Sequence, residues 1–306
     1  MMEITILGSG SGGPFQGRAY SAQALRVENR YFLLDCGEGT QMQLFRYKVK
    51  YERIESIFIT HLHGDHIFGM AGLLTSFSLR NRQKPLAVYS PPGLRDIIEG
   101  TFKRCGAMFS YPITFEEVDP EQNACVFEDE LLEVWTVPLL HRTPCCGWLF
   151  RTKPKPLNVD KTAIETYGLQ IEQIKAAKRG EDVRLPDGRV IANKRLTLPP
   201  LPTCAYAYCT DTMPSETAAR AVRGVDLLYH EATFTEEFVE EAALSGHSTA
   251  AQAAGIARAA GVGKLLLGHF SGRYVDTDLH VAEARGIFAE SHAVSDGDVY
   301  SIDVAK

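Results

Sequence analysis

His61-Leu62-His63-Gly64-Asp65-His66 puts four side chains able to ligate a metal within six residues. Along an extended chain His61 and His63 point to the same side. Gly64 permits a sharp bend that turns Asp65 and His66 toward a second point. Imidazole and carboxylate are donors that suit Zn²⁺, and they also suit Mn²⁺ or Fe²⁺. An isolated histidine is more often a surface or satisfied core residue, but four candidate donors directly after an apolar strand are a different signal. A six-residue loop cannot close two coordination spheres, so further ligands are expected at other strand ends. His141 follows Val137-Pro138-Leu139-Leu140, Asp211 follows Tyr208-Cys209-Thr210, and His269 follows Leu265-Leu266-Leu267-Gly268. Taken singly, each of these three also reads as an ordinary loop residue.

Short elements must position these donors. Strand patterns are expected at 4–7, 22–27, 31–35 and 54–60, the last ending just before His61. Helical spacing covers 39–47, and covers 67–79 with Met70, Leu73, Leu74 and Phe77 on one face. Strands follow near 86–89, 113–117, 124–128 and 131–137, with a helix near 93–104. After residue 205 the rhythm repeats, with strands at 206–209, 225–229 and 264–267. Thr249 and Gln252 form a capping box for a helix over 250–260 that Gly261 closes. Strands ending in His or Asp in both halves imply two packed β-sheets, helices outside, and a polar site along one edge.

Composition narrows the class. The chain has 306 residues, a formal charge of −6, 45% apolar and 23% charged residues, and seven scattered cysteines without a C-x-x-C pair. That is ordinary for a soluble globular protein, and the cysteine pattern reads as a reducing cytoplasm rather than a disulfide scaffold. No apolar run approaches the ~18–20 residues of a membrane helix, and no signal peptide is read at the start. The charge is uneven. Residues 151–195 hold eleven Lys/Arg against six Asp/Glu, leaving 21 against 32 elsewhere. Residues 153–202 are bounded by Lys153-Pro154-Lys155-Pro156 and Pro199-Pro200-Leu201-Pro202, with a helical stretch near 161–178. A basic insert of this kind is either a projecting arm or a solvated surface excursion. Arg46, Lys48 and Lys50, or Arg80, Arg82 and Lys84, are possible auxiliary cations. Gly8-Ser9-Gly10-Ser11-Gly12-Gly13 satisfies G-x-G-x-x-G, but the sequence runs on into another strand rather than the helix a dinucleotide site needs.

The pattern His61-x-His63-x-Asp65-His66 with His141, Asp211 and His269 resembles the metallo-β-lactamase superfamily. Narrower features resemble the ribonuclease Z family of tRNA 3′-processing endonucleases. They are Leu34-Asp35-Cys36-Gly37-Glu38-Gly39-Thr40, His230-Glu231-Ala232-Thr233, His247-Ser248-Thr249 and His269-Phe270-Ser271-Gly272-Arg273-Tyr274. The resemblance spans about residues 3–300. It implies an α/β, αββα four-layer sandwich made of a single domain over 1–306, with a protruding arm at 153–202 as the tRNA-binding exosite. Two departures stand out. Gln16 and Ala19 replace the lysine and asparagine of the family's Pro-x-Lys-x-Arg-Asn loop, and no proline lies around Gly168-Leu169-Gln170-Ile171 in the arm.

The resemblance further implies two Zn²⁺ ions, or another divalent metal. His61, His63 and His141 would hold one, Asp65, His66 and His269 the other, with Asp211 bridging. Two metals ~3.5–4 Å apart can activate water and clamp a phosphate through an in-line displacement. Asp65 would hold the proton of that water. His247 is expected as general acid toward the leaving 3′-oxygen, oriented by Glu231. Ser248 and Thr249 read first as helix caps. Asp35 and Glu38 are expected to support the ligands or fold their loop. Arg273, with Ser271 and Arg18, is expected at the substrate; a surface ion pair is the alternative for Arg273. The implied activity releases the 3′ trailer of precursor tRNA, leaving a 3′-hydroxyl and a 5′-phosphate, in a cytoplasmic homodimer without membrane attachment. The rival functions are a small-molecule phosphodiesterase of the same superfamily and a non-catalytic RNA-binding scaffold.

Overall fold

The computed structural model describes residues 1–302 apart from residues 14, 16 and 201, so Gln16, Pro14 and Leu201 lie outside the described residues. The chain divides into two compact units. The first comprises Met1–Phe127, Val134–Phe150 and residues 204–302, and the second Glu128–Glu133 and Arg151–Thr203.

Two seven-stranded sheets form the first unit's frame. Its longer strands are β1 (Met2–Gly8), β2 (Ala22–Val27), β3 (Arg30–Leu34), β4 (Ile54–Phe58), β5 (Leu86–Ser90), β6 (Ile113–Glu117), β7 (Cys125–Glu128), β8 (Leu132–Pro138), β9 (Cys146–Thr152), β10 (Ala205–Cys209), β11 (Leu227–Glu231), β12 (Lys264–Gly268), β13 (Ser291–Ala293) and β14 (Val299–Ile302). One sheet runs β14-β1-β2-β3-β4-β5-β6 and the other β13-β12-β11-β10-β9-β8-β7. Their inner faces meet through aromatic side chains. Phe58 lies 5.1 Å from Trp148 and 5.2 Å from Phe150, and Phe32 lies 5.9 Å from Phe150, ring centre to ring centre.

Helices cover the outer faces. On the first sheet lie α1 (Thr40–Arg46), the single turn α2 (Gly64–Ile67), α3 (Met70–Leu79) and α4 (Leu94–Arg104). Met70, Leu73, Leu74 and Phe77 of α3 and Leu94, Ile98 and Phe102 of α4 pack with Leu33, Ile57 and Val88. Each such buried side chain contributes roughly 1.5–3 kcal/mol relative to exposure. The expected helix over 67–79 is thus interrupted. Gly69 must approach the Gly37 carbonyl so closely that a Cβ there would collide with it. The second sheet carries α9 (Ala250–Ala260), whose alanines allow close approach, and α10 (Asp278–Arg285). The capping box of Thr249 and Gln252 and the left-handed Gly261 bound α9 as expected.

Parallel strands place the site. β3 and β4 pair in parallel, with Leu34 opposite Phe58, so Asp35 and His61 leave neighbouring carboxyl ends. β10, β11 and β12 are also parallel, with Cys209 opposite His230 and Glu231 opposite Gly268. Asp211, Glu231 and His269 therefore emerge side by side, at the carboxyl edge where α/β sheets place their ligands.

The second unit has a small apolar core of its own, including Ala163, Leu169, Ala177, Val183, Leu185, Ile191 and Leu196. The expected helical stretch is two helices, Lys161–Tyr167 and Ile171–Lys178. Gly168, left-handed with φ of 62°, separates them, and Gln170 with Gln173 caps the second. No helix among the described residues is long and apolar enough to cross a membrane.

Candidate metal centre

Donor atoms of His61, His63, His141 and Asp211 all lie within 4.8 Å of one another, and so do those of Asp65, His66 and His269. The seven residues singled out from sequence thus come together from loops of both sheets. Asp211 stands between the groups. Its Oδ1 is 3.2 Å from Nε2 of both His66 and His269, while its Oδ2 is 3.7 Å from His61 Nε2 and 3.9 Å from His141 Nε2.

Four of the five imidazoles are held by their outer nitrogen, whereas His63 Nδ1 faces His61 Nε2 at 2.9 Å. His61 Nδ1 meets Thr60 Oγ1 at 3.1 Å, and His66 Nδ1 meets Asp35 Oδ2 at 2.8 Å. His141 Nδ1 meets the Gly246 carbonyl at 2.8 Å, and His269 Nδ1 meets Thr233 Oγ1 at 3.1 Å. The Nε2 atoms of His66, His141 and His269 are left buried without a hydrogen-bond partner. Buried polar atoms seldom go unpaired. Rings steered by one nitrogen, with the other aimed at a shared carboxylate, are the arrangement a divalent cation requires. The donor set therefore fits a divalent-metal site.

Backbone strain is concentrated here. Asp35, Asp211 and His269 adopt φ of 54°, 34° and 58°, a left-handed region costly for these residues. Burial alone would raise the Asp211 carboxyl, yet the imidazoles of His269, His66 and His61 hold it well below the usual carboxylate range. Gly37 lets the Asp35 loop lie against the histidine loop, since a Cβ there would collide with the Asp65 carbonyl and with Tyr20.

His247 borders the centre, its ring 5.2 Å from that of His141 and 5.4 Å from that of His269. Its Nδ1 meets Glu231 Oε1 at 2.7 Å. Glu231 Oε2 accepts the Thr233 hydroxyl at 2.7 Å and the Thr233 amide at 3.0 Å. Burial disfavours charge on His247, but the adjacent Glu231 carboxylate raises its imidazole to about 9. Burial likewise opposes the Glu231 charge, and His247 pulls that carboxyl below its ordinary value. His247 also lies within ligand reach of Asp211 and His269.

The remaining residues sort by contact. Arg273 is exposed, its guanidinium 4.9 Å from the Phe234 ring and 4.3 Å from the Phe238 ring. It makes no ion pair among the described residues. Arg18 donates to the Tyr274 carbonyl at 2.9 Å. Ser271 accepts weakly from the Arg273 amide at 3.4 Å, and Phe270–Ser271 pairs with Gly10–Ser11 of the glycine loop. That loop leads to a strand rather than a helix, and its Gly12 amide donates to Asp65 Oδ2 at 3.1 Å. Thr249 caps α9, and the Ser248 hydroxyl donates to the Thr212 carbonyl at 2.6 Å. Glu38 is exposed, whereas Asp35 is buried beside His66. Arg82 is corrected as an auxiliary cation. It is buried, stacks on Phe77 and Tyr111, and donates to backbone carbonyls including Ile54 at 2.8 Å. Thr60 and Asp296 were not singled out from sequence, and Thr233 only as part of the His230–Thr233 motif, without a role. Asp296 accepts from the Ser9 and Ala19 amides at 2.9 and 2.7 Å, fixing both ends of the glycine loop.

Two mixed sheets packed face to face, helices outside, and a His/Asp centre at their carboxyl edge define the metallo-β-lactamase fold class. YhfI of Bacillus subtilis, a metallo-beta-lactamase fold protein, is 19% identical with a TM-score of 0.68 and about 98% coverage of each chain. The family model "Anti-Pycsar protein Apyc1" matches residues 2–105. Ribonuclease Z of Bacteroides fragilis is 42% identical over 286 residues, 94% of each chain, and that of Cytophaga hutchinsonii 42% over 301 residues, 98% of this chain and 96% of the relative. Human tRNase Z, short form, superposes with a TM-score of 0.72 at 28% identity, covering 99% of this chain and 100% of its own. The chain belongs to the ribonuclease Z family.

Proposed function

We propose that this protein is a divalent-metal-dependent endoribonuclease that removes the 3′ trailer from precursor tRNA. One observation carries the reading beyond the fold: a carboxylate-paired His247 stands beside the two donor groups that share Asp211. His61, His63 and His141 would hold one Zn²⁺ and Asp65, His66 and His269 a second, with Asp211 serving both. When bound, such ions polarise the phosphate and lower the pKa of water, so that a nucleophile exists near neutral pH.

This chain's own residues supply the rest. Asp65, oriented by the Gly12 amide, accepts the proton of the attacking water. His247 is kept protonated by Glu231 and delivers a proton from Nε2 to the leaving 3′-oxygen. The products are a tRNA 3′-hydroxyl and a trailer 5′-phosphate. Arg273, its guanidinium over the Phe234 and Phe238 rings, presents a cation to the nucleotides at the cut, with Ser271 and Arg18 as further substrate contacts. Incubation with a 3′-extended precursor tRNA, with and without chelator, tests the reading; a single chelator-sensitive cut at the tRNA 3′ end is expected. Turnover of a small phosphodiester without tRNA cleavage would favour the phosphodiesterase alternative.

Substrate grip is assigned to the basic second unit. A cleft of about 660 Å³ there is lined by Lys155, Lys175, Lys178 and Arg179 with Pro154, Pro156 and Leu157. Phosphate binding through such cations weakens steeply with salt. Reversing Lys175, Lys178 and Arg179 to glutamate is expected to raise KM for precursor tRNA at least about tenfold through lost phosphate contacts. Hydrolysis of a small diester should be unchanged, and equal losses on both substrates would remove this role from the arm.

The homodimer reading is supported by exposed apolar side chains of neighbouring helices, Met42 and Phe45 of α1, Phe68 just before α3 and Leu79 at its end. Gln41 Nε2 of α1 donates to Ser76 Oγ of α3 at 2.6 Å, so the two helices are neighbours. Phe68→Asp combined with Leu79→Asp is expected to yield a monomer by light scattering; a dimer that persists would place the interface elsewhere. The seven scattered cysteines suit a reducing, cytoplasmic setting.

A further inference from the structure

The ligands come from two sheets, so the centre works only if the sheets are held at a fixed offset. First-sheet loops bring His61, His63, Asp65 and His66, and second-sheet loops bring His141, Asp211 and His269. A side-chain strut crosses between the sheets beside this centre, next to the backbone bond from the Cys146 amide to the Thr60 carbonyl at 3.1 Å. The Tyr208 hydroxyl, on β10, donates to Asp35 Oδ2 at 2.9 Å. The same oxygen accepts His66 Nδ1 at 2.8 Å. Asp35 Oδ1 accepts the Thr60 amide at 2.8 Å. Tyr208, Asp35 and His66 are each 0% exposed, so no water replaces a lost donor.

We propose that Tyr208 is a positioning residue of the metal centre: its hydroxyl ties the strand that delivers Asp211 to the carboxylate that aims His66. Tyr208 stands three residues before Asp211 on the same chain segment. The phenol packs on Tyr229, their ring centres 5.0 Å apart, so it cannot swing away. Removing the hydroxyl leaves Asp35 held by the Thr60 amide and hydroxyl and by His66 alone, and cuts the side-chain tie between the Asp211 strand and the carboxylate that aims His66. The internal comparison is Tyr206, two residues earlier, whose hydroxyl makes the same kind of cross-sheet bond to Gln23, a residue bonded to none of the ligand imidazoles.

The inference rests on His66 being a metal ligand. The test is retention of zinc against a competing chelator, followed in the full chain loaded with zinc alone. Tyr208→Phe is expected to weaken retention of one ion by about 10–100-fold, the usual effect of losing a partner behind a ligand. Tyr206→Phe is expected to retain zinc as the unsubstituted protein does, with both variants melting alike when metal-free. Unchanged retention in Tyr208→Phe, or an equal loss in Tyr206→Phe, overturns the proposal. Asp35→Asn separates the two levels. If it too retains zinc fully, the reading of His66 fails rather than the strut. If Tyr208→Phe folds poorly, 3-fluorotyrosine at position 208 keeps the shape and alters only the donor; zinc retention identical to that of tyrosine would then count against the strut.

Discussion

Asp211→Ala is expected to abolish precursor cleavage and to lower bound zinc together. The two oxygens of this one carboxylate face different histidine groups, Oδ1 toward His66 and His269 and Oδ2 toward His61 and His141. Truncation removes a donor from both groups at once and leaves the His61, His63 and His141 group with no carboxylate of its own, Asp65 remaining beside His66 and His269. Metal stabilisation of a transition state is worth several kcal/mol, and each 1.36 kcal/mol is a factor of ten. A rate loss of about 10³-fold or more is therefore expected. Metal analysis by mass spectrometry should show fewer ions per chain. Full activity in this variant would end the shared-ligand assignment.

His247→Ala is expected to slow cleavage by ~10²–10⁴-fold, the range for losing a general acid, while zinc stays bound. The distinction matters because His247 lies within ligand reach of Asp211 and His269. A variant that loses zinc would make His247 a ligand and contradict the proton-donor role. The protonation state is testable separately in the metal-free protein. There the imidazole is raised to about 9, against its burial, by Glu231. A raised folded-state pKa stabilises the fold below the unfolded value near 6.5, and that contribution is lost as pH climbs through about 9. In Glu231→Gln, burial acts with less opposition, so an NMR titration should find His247 deprotonating at lower pH. An unshifted midpoint would remove Glu231 from this role.

What the sequence disclosed and what it concealed follow from the range of each interaction. The segment 61–66 carries its message locally, in residue type and spacing. His141, Asp211 and His269 were legible because ligands sit where apolar strands stop. The helix over 250–260 was legible from both of its ends, since capping is a local bond. Side-chain contacts between residues far apart in the chain leave no such trace. Tyr208 reaches Asp35 across 173 positions, and Asp296 reaches Ser9 across 287. Neither pairing imposes a period or a motif. Arg82 read as a surface cation because charge is visible in sequence, whereas the ring of carbonyls and aromatics that receives it is not. The break of the 161–178 stretch was available in Gly168, but helical spacing on either side masked it.

Zinc-edge anomalous diffraction from crystals of the zinc-loaded protein tests the central claim most directly. The account predicts two peaks, one among His61, His63 and His141 and one among Asp65, His66 and His269, with Asp211 reaching both. A featureless map at that edge of the sandwich, or the same side chains splayed apart under saturating zinc, would contradict it.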